Sequence, residues 1–177
     1  LGHMMAAASV QALWAEVKGF AGQLGYSHVL AVDADRIAGG ARSAVIYSDA
    51  PRQALEALDA ELEYARHPVI QRASQTDAPF FISDMRKQAE RNGERWPEFL
   101  ADVVKRGEGF VVPVFRDAKP VAGFNFGGES PDTSANARSM LQVVAHAAVE
   151  KLGLLANSKP ERFPAGASVL STQSHWW

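Results

Sequence analysis

The sequence predicts a single α+β domain in which a five-stranded antiparallel sheet carries helices on both faces. Three observations lead there. Two pairs of β-rich runs are each joined by a turn-forming segment, the second pair is apolar along most of its length, and apolar stripes at helical spacing stand near both ends of the chain. A strand covered on one face alternates apolar and polar residues, so a nearly unbroken apolar run means that both faces are buried. A length of 177 residues with 47% hydrophobic residues suits one sizeable core.

The first helix is read from Val10, Leu13, Trp14, Val17, Phe20, Ala21 and Leu24, which recur at steps of three and four. Ser9 is placed to cap it and Gly25 to end it. The runs SHVLAVDAD and ARSAVIYSD follow, and the paired glycines of the intervening RIAGG suit a turn between antiparallel strands. Residues 51–66 set Leu55, Leu58, Leu62 and Ala65 along one helical face, with Pro51 in the first turn. A short helix is expected from Pro68 to Ser74, a short strand from Pro79 to Ile82, and helical segments over Asp84 to Arg91 and Trp96 to Arg106.

The clearest hairpin is EGFVVPVFR, the turn DAK, and PVAGFNFGG. Pro113 complicates it, because proline cannot donate to a ladder and prefers an edge or a bulge. The last helix is expected from Ser134 to Leu152, with Met140, Leu141, Val144, Ala148 and Leu152 on one side and Gly153 as its stop. The domain is therefore bounded at residues 5–153. Residues 1–4 read as a cloning remnant and residues 154–177 as a mostly irregular tail that could also pack its Trp176 and Trp177 onto the body or a partner.

Composition removes several classes of function. A net charge of -2 and a pI near 6.2 give no electrostatic reason to expect direct nucleic-acid binding. The absence of cysteine removes disulfides, thiolate metal sites and cysteine nucleophiles, and fits a reducing cytoplasm. No apolar run is read as long enough for membrane insertion, and the opening residues lack the positive n-region of a secretory signal. Neither a Gly-x-Ser-x-Gly elbow nor a phosphate-binding Gly-Lys-Ser/Thr loop is present. The five histidines are scattered and no paired acid and base stand out, so no enzyme, metal or cofactor is expected.

The patches LGYSHVL, HPVIQRASQTDAPFFISD and GFVVPVFRDAKPVAGFNFGGE, in this order, resemble the autoinducer-binding domain of LuxR-type transcription regulators, which is related in shape to PAS and GAF sensor modules. The likeness spans residues 24–151 and implies a PAS-like αβα sandwich with a small-molecule pocket between sheet and helices. It also implies where the lactone signal of that family would be held, and there the chain departs. His67 stands where the family has an aspartate for the signal's amide, and Ile82 where it has a tryptophan for the lactone carbonyl. Leu58 and Ala54 stand where it has a tyrosine and a tryptophan. Two neutral hydrogen bonds at about 1 kcal/mol and one charged bond at about 1.5–3 kcal/mol sum to roughly 3.5–5 kcal/mol. That is on the order of a thousandfold in affinity.

The expected pocket is therefore mainly apolar, lined by Ala54, Leu58, His67, Ile70, Ile82, Trp96, Phe99 and, on the last strand, Asn125, and either takes a small apolar ligand other than acyl-homoserine lactone or is filled by side chains. His67 has two readings: a ligand contact that titrates near neutrality, or a group facing solvent or a helix-end carbonyl. Asn125, between Phe124 and Phe126, needs a partner for its amide if it faces inward.

The tail is too short for the DNA-binding unit that follows such domains, so a stand-alone module is expected. The resemblance then implies a cytoplasmic signalling protein acting by protein contact, like single-domain PAS regulators that act at the cell pole on histidine kinases controlling motility and the cell cycle. The alternative is the ligand-binding half of a LuxR-type regulator. The apolar stripes of the terminal helices could also form a homodimer seam, though burial against the sheet explains them more simply.

Overall fold

The computed structural model describes residues 1–39, 44–50, 67–97, 100 and 107–157. Its elements are α1 (Gly2–Ala6), α2 (Val10–Gln23), β1 (His28–Asp33), a 3-10 helix (Ala34–Gly39), β2 (Val45–Ser48), α3 (Pro68–Gln75), β3 (Phe80–Phe81), α4 (Ile82–Arg91), β4 (Glu108–Arg116), β5 (Lys119–Gly128) and α5 (Ala135–Asn157). The strands form one antiparallel sheet in the order β2-β1-β5-β4-β3.

Local chemistry explains most boundaries. The Ser9 hydroxyl accepts the Ala12 N–H at 3.1 Å and so satisfies one of the orphan donors at the start of α2. After α2 the chain turns through Gly25 at φ 81°, where a side chain would also press on the backbone of Ser130 and Pro131. β4 and β5 are joined by Asp117 and Ala118, both in the left-handed region at φ 51° and 59°. That two-residue reversal follows the right-handed twist of the strands it joins.

Pairing sorts side chains onto two faces, since neighbours along a strand alternate. On one face, Val29, Ala31, Phe110, Val112, Phe124 and Phe126 pack with Leu13, Trp14 and Val17 of α2 and Leu141, Val144 and Ala148 of α5. Trp14 stacks on Tyr47 with ring centroids 4.6 Å apart. Across the sheet a smaller core gathers Phe80, Ile82, Met85 and Val111, with Val69 and Ala73 of α3 against it. Burial of β4 from Gly109 to Val114 accounts for its unbroken apolar run. Pro113 is tolerated because β3 pairs only with Phe110 and Val111, leaving the outer edge of β4 beyond them without a strand partner among the described residues.

Several expectations change. The β1–β2 connection holds a 3-10 helix and is no tight turn. Ile82 opens α4 and does not close a strand, because β3 ends at Phe81. Trp96 and Pro97 lie in irregular chain, so no helix begins there; residues 98–106, apart from Leu100, and the helix expected over 51–66 fall outside the described residues. Gly153 does not stop the last helix, which runs to Asn157 with no atom of the described residues within 4 Å of where a Cβ on that glycine would stand. Met140 is 37% exposed and lies off the buried stripe, which instead takes in Ala137 and Ala145. Met4 is buried, in a one-turn helix packed on α2 and α5.

Among the described residues one helix, α5, is long and apolar enough to cross a membrane by length and composition, where the sequence suggests no such run. Alanines interspersed with polar residues account for the difference, and its Leu141, Val144, Ala145 and Ala148 belong to the core.

Candidate functional site

The two faces of the sheet differ in what they carry. Where one is filled with phenylalanine rings, the other places Gly109, Gly123 and Gly127 on β4 and β5, with Asn125 between the last two. Glycine weakens a strand, so several on one face mark places where other groups approach closely. At Gly109 a Cβ would stand 2.6 Å from Ile82 Cδ1 and 3.0 Å from Asn125 Oδ1. Ile82 and Asn125, distant in sequence, thus converge over one glycine. At Gly127 the space is taken by the His28 ring from β1, while Gly123 has, among the described residues, only Val32 Cγ2 nearby, at 3.4 Å.

Two polar atoms in this region are buried and unpaired among the described residues: the carboxamide oxygen of Asn125 and the indole nitrogen of Trp96. Asn125 is fixed by its register opposite Val111 on β4 and Leu30 on β1. Trp96 packs on the small core of Phe80, Ile82, Met85 and Val111. The two atoms are opposite in kind, one an acceptor and one a donor. Buried polar atoms in folded proteins nearly always have partners, and exceptions call for an explanation such as a bound molecule.

Glu108 shapes the same region from β4. Its carboxylate accepts the N–H of Gly109 at 2.8 Å and that of Ser83 at 3.3 Å, satisfying a donor in the first turn of α4, which has no side-chain cap of its own. His67 lies immediately before α3 and is 9% exposed. Burial pushes its imidazole down to about 4, so the ring is neutral at ordinary pH. The solvent-facing reading of His67 is therefore set aside.

Of the eight residues expected to line a pocket, Ile82 and Asn125 converge over Gly109, and Trp96 packs on the small core to which Ile82 and Val111 belong. His67 and Ile70 lie at the start of α3, which packs on β4 and β5; Ile70 is half-buried and stands outside the small core, where its neighbours Val69 and Ala73 take part. Ala54, Leu58 and Phe99 fall outside the described residues. Sequence reading missed Gly109 and Glu108. The signal for Gly109 was a glycine within an otherwise apolar strand; Glu108 had none, because its role depends on a helix start 25 residues away. Among the described residues no group of three or more histidines and carboxylates could hold a metal ion.

The architecture is a PAS/GAF-like sandwich of antiparallel sheet and helices. The chain belongs to the autoinducer-binding domain family, whose model matches residues 9–152. In fold it is similar to CepR2 from Burkholderia cenocepacia, described as an N-acylhomoserine lactone dependent LuxR family transcription factor, at 13% identity and a TM-score of 0.58 over 89% of this chain and 91% of that one. It is also similar to SdiA from Escherichia coli, at 13% identity and a TM-score of 0.54 over 87% of this chain and 65% of that one. At such identities the likeness concerns the fold. No curated protein matches the sequence.

Proposed function

We propose that this chain is the small-molecule-sensing half of a LuxR-type regulator and that its ligand lies against the glycine-bearing face of the sheet. The carrying observation is the buried, unpaired Asn125 oxygen beside Ile82 and Gly109. The family is defined by binding small autoinducers, and the alternative drawn from the sequence, a ligand-binding half, fits that better than contact with a histidine kinase. Nothing in the family match or the fold neighbours favours a kinase partner, a role in the cell cycle or recruitment to the cell pole, and those expectations give way.

In this reading Ile82, Val111 and Phe80 supply apolar contact and Asn125 fixes orientation, the usual division of labour in a small-molecule site. His67, Ile70, Ala54, Leu58 and Phe99 are assigned to the remaining walls. Native mass spectrometry of freshly purified protein tests the reading. A retained small molecule, lost in Asn125→Leu, is expected; a wild-type protein that neither retains a molecule nor gains thermal stability with long-chain amides or acyl-homoserine lactones would contradict it.

A further inference from the structure

We propose that Glu108 is a positioning residue of this site: by holding Ile82 over Gly109 it fixes the room beside Asn125 and so selects the shape of the molecule that enters. The proposal rests on the ligand-binding reading above. Ile82 is held through both of its chain neighbours. Phe81 pairs with Phe110 across the β3–β4 ladder, and Ser83 donates its N–H to Glu108 Oε1 at 3.3 Å. The two residues that flank Ile82 are thus tied to the two that flank Gly109. The carboxylate stands in for the strand partner that Ser83 gives up where the chain turns into α4.

Nothing in the local sequence supplies this hold. A helix start leaves four N–H groups without intrahelical partners, and the N-cap position favours Ser, Thr, Asp or Asn. Phe81 occupies that position in α4 and makes no side-chain bond to the helix. Glu108 brings the acceptor from β4, and the same oxygen is steadied by the Gly109 N–H at 2.8 Å. Ile82 is buried, and the point where a Cβ on Gly109 would stand lies 2.6 Å from its Cδ1 and 3.0 Å from Asn125 Oδ1. A group bonded to the unpaired Asn125 oxygen therefore meets the Ile82 side chain. Without the Glu108 bond the first turn of α4 is free to shift, Ile82 leaves Gly109, and the room at Asn125 widens.

Calorimetric titration of the full chain with N-butyldecanamide and its isomer N-tert-butyldecanamide reads that room, because the two differ only in breadth beside the N–H. The wild type is expected to favour the straight isomer by about tenfold or more, the scale on which a pocket senses a methylene. Glu108→Ala is expected to bring the two affinities within about threefold of each other. Glu108→Gln, which keeps an oxygen acceptor, should preserve the preference. A general loss of stability would move both affinities together and leave their ratio unchanged. A wild type without preference, an unchanged ratio in Glu108→Ala, or a Glu108→Gln variant as unselective as Glu108→Ala overturns the proposal and leaves the ligand-binding reading standing. Failure of the wild type to bind either isomer overturns both. If Glu108→Ala does not fold, Glu108→Asp takes its place, since it keeps the charge and withdraws the oxygen by one methylene: a collapsed ratio supports the proposal and an unchanged one overturns it.

Discussion

The imidazole of His28 lies across Gly127, its directly opposed neighbour on β5, and fills the space in which any side chain at that position would begin. Ser27 Oγ stands 3.3 Å from the ring's Nδ1, and burial lowers the pKa of the imidazole. The pair shows how glycines on this face make room for groups from neighbouring strands. Gly127→Ala is expected to cost about 2–3 kcal/mol through overpacking. His28→Ala in the same chain should recover much of that loss, as urea unfolding of the single and double variants would show. Additive losses would contradict the packing account.

The β4–β5 turn holds Ala118 at φ 59°. A left-handed backbone costs an L-residue roughly 1–2 kcal/mol, and Asp-Gly is a favoured pair in this kind of turn. Ala118→Gly is therefore expected to raise stability by about 1 kcal/mol, offset in part by the greater freedom of glycine in the unfolded chain. A denaturation midpoint at or below that of the wild type would contradict this.

His67 makes stability depend on pH. The native chain keeps the imidazole neutral down to about 4, whereas the unfolded chain takes up its proton near the ordinary value of about 6.5. The unfolded state thus binds the extra proton first, and stability falls as pH drops from about 6.5 to about 4, by about 3 kcal/mol in all. His28 shifts in the same direction and adds to the slope. His67→Gln should flatten stability against pH in that window, and an unchanged slope would show that the ring is not the source.

The substitutions at the positions that resemble the family's head-group contacts bear on lactones. Ile82 offers no donor to a lactone carbonyl. N-decanoyl homoserine lactone is expected to bind about tenfold more weakly than N-butyldecanamide, the equivalent of one unserved polar group. Equal or tighter binding of the lactone in calorimetry would mean that other residues serve the ring.

Much of the fold was legible because it rests on local rules. Ser9 caps α2, the β4–β5 run is apolar because both of its faces are covered, and the β4–β5 hairpin closes at the turn between its two apolar runs. The misreadings have physical reasons. Ile82 reads as strand by propensity, but tertiary contact lets α4 begin there with Glu108 supplying the acceptor that local sequence lacks. Gly153 reads as a stop, yet an exposed glycine costs a 23-residue helix only about 1 kcal/mol. Asn125 was legible as a polar residue set between phenylalanines. The unpaired state of Trp96 was not, because it depends on segments that meet only in the folded chain.

The position of the ligand is tested most directly by ¹H–¹⁵N spectra recorded during titration with N-butyldecanamide. Trp96 and Trp14 lie on opposite faces of the sheet, Trp14 being packed against Tyr47 and Phe124. The expected result is a shift of the Trp96 indole signal together with the amides of Gly109 and Val111 and the Asn125 side chain, while the Trp14 indole stays in place. Shifts centred on Trp14 and the phenylalanine face, with the Trp96 indole unmoved, would contradict the account.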